Sequence, residues 1–343
     1  MRVALDATYS VGPDLTGIGI YSRKLIEGLA GLHPEDRFLL CYRPRKLLAA
    51  QRPELRNVRR WILQPPVPIP GVQLFHALNQ RVDRRAAHYV VSTFHDLFVM
   101  TAEYSTADFR QRFAEQAKQA AALSDMVIAV SSFVADQVSS LLGVERARIR
   151  VVPHGVDLPP EIASSGREDI ILFVGTLQKR KNISRLVAAF ERLPGNWKLI
   201  LAGATGGYGT SEIMDGIGAS PARARIEITG RLGDPALQRL YRRARLFAFP
   251  SLDEGFGIPV LEAMAYGLPV IASNRSALPE VAGGAAILVD PSSTDEIESA
   301  LLTLINDPVR RDQLALCGRS RAVQFPWSRT VSETHRVYRE LIR

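Results

Sequence analysis

Two carboxylates eight residues apart, Glu254 and Glu262, bracket the stretch of this 343-residue chain best suited to chemistry. Residues 246–249 read as a buried strand that breaks at Pro250, a turn with Gly255 and Gly257 on either side of Phe256 follows, and Ile258-Pro259 opens a helix carrying Glu262. Proline suits a first helical turn because the amide it lacks has no partner there. Glycine allows close backbone approach, and a helix N-terminus presents free N–H groups and a positive dipole end. Gly255, Phe256, Gly257 and Ile258 therefore form a candidate phosphate seat. Carboxylates beside it would repel phosphate unless they serve hydroxyls, Glu254 those of a sugar and Glu262 those of a ribose. A surface turn with a solvated glutamate ahead of an amphipathic helix fits the same spacing.

A second cluster lies upstream. Residues 170–174 form an apolar run that enters Gly175-Thr176-Leu177-Gln178-Lys179-Arg180-Lys181-Asn182, ahead of a helix over 183–193. Three adjacent cations repel one another unless an anion sits among them, and a diphosphate held by charge-assisted hydrogen bonds supplies one. Gly203 ends a strand over 199–202, and Arg231 and Leu232 close the stretch 226–232 ahead of a helix opened by Asp234. In the first half, His95 comes directly after the stretch 89–94, at the carboxyl end of a predicted parallel strand, where open α/β sheets bind ligands. A structural histidine is the competing reading. Gly17-Ile18-Gly19 lies in what reads as a long loop over 12–20, too far from the first strand for a dinucleotide fingerprint. A mobile loop closing over a phosphate suits it better.

The elements around these residues alternate short apolar runs with helical stretches, the pattern of parallel βαβ units. Two Rossmann-like domains are expected, residues 1–160 and 161–326, with a polar linker at 158–169 and a last helix from Trp327 returning to the first domain. A helix over 107–123 carries Phe109, Phe113 and Ala117 at helical spacing, expected to face the core. Ser131 and Ser132 cap the next helix, with a ligand contact by Ser131 equally open. Composition excludes several classes: 46% hydrophobic residues suffice for two cores, and Cys41 and Cys317 fit no metal, redox or disulfide pattern. No run reaches the roughly 18 apolar residues of a membrane span, and Asp6 interrupts any signal-peptide core, so a cytoplasmic protein is expected. Net charge is +8, with Arg43, Arg45, Lys46, Arg52, Arg56, Arg59 and Arg60 clustered ahead of Trp61. A solvated helix face and attraction to an anionic membrane surface are both open, the latter making the protein peripheral. Nucleic acid is disfavoured, for no recognised binding signature is present.

Glu254 to Glu262, in the form EGFGIPVLEAMA, resembles the paired-glutamate element of family 4 (GT4) of the retaining glycosyltransferases, which have the GT-B fold. Gly175 to Asn182 resembles that family's basic segment, with Thr176 where many members carry arginine; the guanidinium role would pass to Arg180, with Lys181 as the matched lysine. His95-Asp96-Leu97 resembles the sugar-contacting histidine segment of mannosyltransferase-like members, and Pro153-His154-Gly155-Val156-Asp157 another family segment with His154 in place of asparagine. The resemblance is strong over 170–290 and weaker before it. It implies two Rossmann-like domains facing across a cleft and transfer of a hexose with retained configuration. Glu254, His95, Arg180 and Lys181 would be catalytic. Gly17, Gly19, Gly175, Gly203, Arg231, Leu232, Gly255, Phe256, Gly257, Ile258 and Glu262 would bind the donor. It further implies no metal and no cofactor beyond the nucleotide sugar, GDP-mannose before a UDP-sugar, and a glycan or polyprenyl-diphosphate-linked acceptor. No Asp-x-Asp metal motif stands at a strand end. A non-catalytic sugar-nucleotide-binding module is the alternative; an epimerase or NAD-dependent dehydrogenase fits less well.

Overall fold

The computed structural model describes residues 1–343 apart from 13–14, 51–54, 65–66, 161–165 and 343. The chain forms two units: Met1–Thr101, Ala107–Gly155 and Trp327–Arg343 make the first, Ala102–Thr106 and Val156–Pro326 the second.

In the first unit β1 (Arg2–Asp6), α1 (Gly17–Leu32), β2 (Arg37–Tyr42), α2 (Pro44–Ala49), β3 (Val58–Ile62), β4 (Leu74–Ala77), β5 (Tyr89–Phe94), α3 (Phe98–Thr101), α4 (Ala107–Leu123), β6 (Met126–Ala129), α5 (Ser132–Leu142) and β7 (Ile149–Val151) follow one another. The strands form one parallel sheet in the order β3-β2-β1-β4-β5-β6-β7. The second unit contains β8 (Ile170–Val174), α6 (Ile183–Glu191), β9 (Lys198–Ala202), α7 (Thr210–Ala219), β10 (Ile226–Gly230), α8 (Asp234–Arg243), β11 (Leu246–Phe249), α9 (Ile258–Ala265), β12 (Val270–Ser273), α10 (Leu278–Ala282), β13 (Ile287–Val289), α11 (Thr294–Asn306) and α12 (Pro308–Ala322), its parallel sheet running β10-β9-β8-β11-β12-β13. The last helix, α13 (Trp327–Leu341), belongs to the first unit and packs on α1, with Val331, Val337 and Tyr338 in that unit's core.

Strands buried on both faces read as continuous apolar runs, which is why β6, β8 and β11 stand out in the sequence. Each sheet reverses strand order once, between β1 and β4 in the first unit and between β8 and β11 in the second. Such reversals open a crevice beyond the carboxyl ends of the strands, where the loops diverge.

Three expectations are corrected. Helix α1 begins at Gly17, with Thr16 in the N-cap position, so Gly17 and Gly19 stand in its first turn and not in a loop. A Cβ on residue 19 would lie 2.8 Å from the Tyr9 carbonyl oxygen, so that glycine serves packing against the protein's own backbone. Residues 13–14 of that stretch lie outside the described residues. Phe109 is 46% exposed, and the buried face of α4 is formed by Ala117, Ala120 and Ala121. The basic segment is no single helix face either. It is divided between α2 and β3, with Arg43 paired to Asp83 at 2.9 Å, Lys46 Nζ donating to the Val11 carbonyl at 3.0 Å, and Arg60 donating to the Ala50 carbonyl. Arg45, Arg56 and Arg59 are exposed, and Arg52 lies outside the described residues.

Candidate active site

At the strand reversal of the second unit, the loops after β8 and β11 are tied together. Asn182, the left-handed N-cap of α6 at φ 57°, donates through Nδ2 to the Pro250 carbonyl at 3.0 Å and the Pro291 carbonyl at 2.6 Å. The Leu252 amide donates to the Arg180 carbonyl at 2.8 Å. Gly203 ends β9 so close to β8 that an added Cβ would lie 1.9 Å from the Gly175 carbonyl oxygen. No other residue fits there without moving that backbone.

This bracing brings Glu254 against two of the three sequence-adjacent cations. Lys181 Nζ lies 2.5 Å from Glu254 Oε1 and Arg180 Nη1 2.9 Å from Oε2, and all three side chains are less than 10% exposed. Arg180 donates further to the Asp253 carbonyl, and Lys181 Nζ sits 4.7 Å over the Phe249 ring. Burial pushes the Glu254 carboxyl up, but Arg180 and Lys181 outweigh it and hold it at about 2. It is ionised throughout the neutral range. The anion expected among the cations is thus, in this structure, a side chain of the same unit. Lys179 is exposed and takes no part.

Helix α9 starts directly after this carboxylate. Its N-cap, Gly257, holds φ 102°, and a Cβ there would lie 2.5 Å from Leu278 Cδ2, so the turn demands glycine on both counts. Gly257 has no side chain to cap the helix; Pro259 carries no amide and the Val260 amide donates to the Gly257 carbonyl at 2.9 Å, which leaves the Ile258 amide as the first that a ligand could take. Gly255 and Phe256 are buried beside it, while Ile258 is partly exposed. Glu262, one turn into α9, accepts a 2.8 Å hydrogen bond from Tyr241 Oη. Burial, reinforced by Asp234 and Asp157, raises its carboxyl to about 7 against that hydrogen bond. The two glutamates of the motif therefore differ in charge state as well as in partners. Arg231 and Leu232 follow the end of β10, Arg231 exposed and Leu232 partly so.

In the first unit His95 follows β5 and is buried. Its Nε2 lies 2.9 Å from the Leu78 carbonyl, which can only accept, so the proton sits on Nε2 and Nδ1 accepts from His154 Nε2 at 3.3 Å. The two rings stack at 5.2 Å with Tyr21 edge-on to both. Burial drives the His95 ring down to about 4 and His154 well below its ordinary value, so both are neutral imidazoles. Ser131 accepts from the Val134 amide at 3.1 Å, an ordinary N-cap.

The sequence reading missed His154 as part of this cluster and missed His76 altogether. His76 Nδ1 lies 2.6 Å from Tyr338 Oη and its Nε2 2.8 Å from Thr93 Oγ1, which is 3.1 Å from Tyr21 Oη. A polar residue inside the apolar run of β4 is the one sequence signal that could have exposed this chain of hydrogen bonds.

Comparison with known proteins agrees with this geometry. A family model described as glycosyl transferases group 1 matches residues 157–321, and one described as Glycosyltransferase Family 4 matches residues 71–159. O-antigen chain mannosyltransferase B of Escherichia coli is 28% identical over 380 residues, covering 98% of this chain and 99% of that protein. Other curated relatives are matched more narrowly, one over 60% of this chain and only 25% of its own length. Sucrose-phosphate synthase from Thermosynechococcus elongatus superposes with a TM-score of 0.79 at 22% identity, over 100% of this chain and 99% of that one. Anabaena HepE in complex with UDP and glucose gives 0.77 at 17% identity, over 99% and 100% of the two chains. At such identities the likeness is one of fold, the GT-B class built from two Rossmann-like domains. With one family model over residues 71–159, a second over residues 157–321 and a relative matched end to end, the chain is a GT4-like glycosyltransferase.

Proposed function

We propose that this enzyme moves a hexose, mannose from GDP-mannose, to a hydroxyl of a glycan or polyprenyl-diphosphate-linked acceptor with retained anomeric configuration. The observation that carries the reading is the Glu254 carboxylate held by Arg180 and Lys181 immediately before the uncapped start of α9. These two cations and the Ile258 amide meet the diphosphate, whose charge grows as its bond to the anomeric carbon breaks. In this reading no metal step is used. Glu254 turns to a sugar hydroxyl, Glu262 to the ribose, and the backbone at Arg231 and Leu232 to the base. Gly175 and Gly203 keep the strand ends low beneath the phosphates. The acceptor hydroxyl attacks on the face the diphosphate leaves, and its proton passes to a leaving-group oxygen, so no side chain acts as general base. His95, whose ring nitrogens face the Leu78 carbonyl and His154, would reach the transferred sugar by exchanging its 3.3 Å His154 contact; Gly17 and Gly19 shape the start of α1.

Mannose is favoured by the full-length likeness to a mannosyltransferase. The second reading, a UDP-sugar donor, is favoured by a fold neighbour that holds UDP and glucose. Calorimetric titration with GDP, UDP and ADP side by side, followed by transfer assays with the matching nucleotide sugars, decides between them. Tightest binding by UDP together with turnover of a UDP-sugar would overturn the GDP-mannose assignment. Peripheral attachment to an anionic membrane, through Arg45, Arg56 and Arg59, belongs to the same proposal; among the described residues no helix is long and apolar enough to cross a membrane.

A further inference from the structure

A second cluster of chemically capable side chains lies in the first unit, at the amino edge of its sheet, where Asp36 directly precedes β2. His33, the C-cap of α1, joins Glu35 and Asp36 from the following turn and His335 from α13, distant in the chain. One ligand atom from each of the four lies within 4.8 Å of all the others. His335 Nε2 is 2.7 Å from Asp36 Oδ2, and His33 Nδ1 is 3.4 Å from Glu35 Oε1. The His33 and His335 rings stack face to face with centroids 3.5 Å apart and planes 4° from parallel. His33 Nε2 is buried and, among the described residues, has no hydrogen-bond partner.

We propose that His33, Glu35, Asp36 and His335 bind a divalent cation of the zinc class, which clamps the last helix to the turn entering β2. Two imidazoles and two carboxylates are a donor set suited to such ions and balance the charge of a divalent one. Bonds of about 2.0–2.2 Å in a tetrahedral site place ligand atoms roughly 3.3–3.5 Å apart. The atoms here span up to 4.8 Å, so the wider pairs must close by little more than 1 Å and the 2.7 Å His335–Asp36 pair must open; the Glu35 side chain, 65% exposed, is free to rotate toward an ion. The cations already present do not block the site. The Met1 amino group pairs with Asp36 Oδ1, and the contact of His335 Nε2 with Oδ2 is the one an ion between the two would replace; Arg339 lines the adjoining hollow of about 300 Å³ together with Glu35, Asp36 and His335. Coordination would replace the ring stack with two directed bonds and give His33 the partner it lacks through Nε2.

The test uses the full chain without a histidine tag, stripped with chelator and titrated with Zn²⁺ in a calorimeter. One ion per chain is expected, with a dissociation constant in the micromolar range or tighter and a rise in Tm that chelator reverses. Co²⁺ in its place should show the intense visible absorption of tetrahedral coordination. His335→Ala also breaks the Asp36 pair and can unseat α13, so His33→Ala and Glu35→Gln decide the matter; each should weaken Zn²⁺ binding at least tenfold. Circular dichroism and the cooperative thermal unfolding of the ion-free protein report that these variants are folded. Absence of saturable binding, binding unchanged in His33→Ala and Glu35→Gln, or binding without a rise in Tm would each overturn the clamp.

Discussion

Glu254→Gln removes one charge from a buried triad while leaving its shape. A carboxyl held at about 2 instead of its ordinary 4.5 corresponds, at 1.36 kcal/mol per pH unit, to roughly 3 kcal/mol of attraction in the ionised form. That matches the approximately 3–5 kcal/mol lost when one member of a buried ion pair is deleted. The side chains are under 10% exposed, so solvent screens little of it. Because the folded-state value is depressed, the stabilisation is fully present above pH 4.5 and is lost as pH falls toward 2. Urea denaturation should therefore place the variant about 3 kcal/mol below wild type at pH 7, with the gap closing across that acid window. The two cations would meanwhile be free of their internal anion, which in the wild type a diphosphate must displace. Nucleoside diphosphate should bind the variant roughly tenfold more tightly and raise its Tm by more, while sugar transfer falls by one to two decades for a lost charge-assisted hydrogen bond of about 1.5–3 kcal/mol. A variant with the wild-type urea midpoint, wild-type diphosphate affinity and undiminished turnover would refute both the energetics and the assignment.

Lys181→Ala and Arg180→Ala should each weaken nucleoside diphosphate binding in calorimetry and leave the plain nucleoside nearly unaffected; equal losses for both ligands would mean the cations do not read phosphate. Tyr338→Phe strips His76 Nδ1 of its 2.6 Å partner in a buried setting, and urea unfolding should show a loss of about 1–3 kcal/mol. Gly203→Ala forces a Cβ to within 1.9 Å of the Gly175 carbonyl oxygen and should lower Tm by several degrees, whereas Gly216→Ala, with nothing within 4 Å and a helical position, should be neutral or slightly stabilising. Replacing Arg45, Arg52, Arg56 and Arg59 with Gln should abolish salt-sensitive sedimentation with anionic vesicles, each cation contributing about 1 kcal/mol near such a surface; a wild-type protein that ignores those vesicles at low salt would leave the cluster a solvated face.

The sequence by itself determined the parts whose causes are local. Apolar runs closed by turn residues locate β8 and β11, the 107–123 period locates α4, and proline beside glycine locates the start of α9. The paired glutamates and the basic segment are likewise legible because their spacing lies within one strand–turn–helix passage. Where a signal is diluted locally it fails: Gly216 and Gly218 hide the period of α7, and Gly17 and Gly19 make the first turn of α1 read as loop. Tertiary structure alone decided what each functional group touches. Lys181 and Glu254 are far apart in the chain and meet because β8 and β11 are neighbours in the sheet, an adjacency set by non-local strand pairing. Phe109 carries the right period yet is exposed, because periodicity says which residues share a face and not how far that face is covered. His33 and His335 come together only when α13 returns to α1, and no spacing along the chain encodes a contact made by two helices packing.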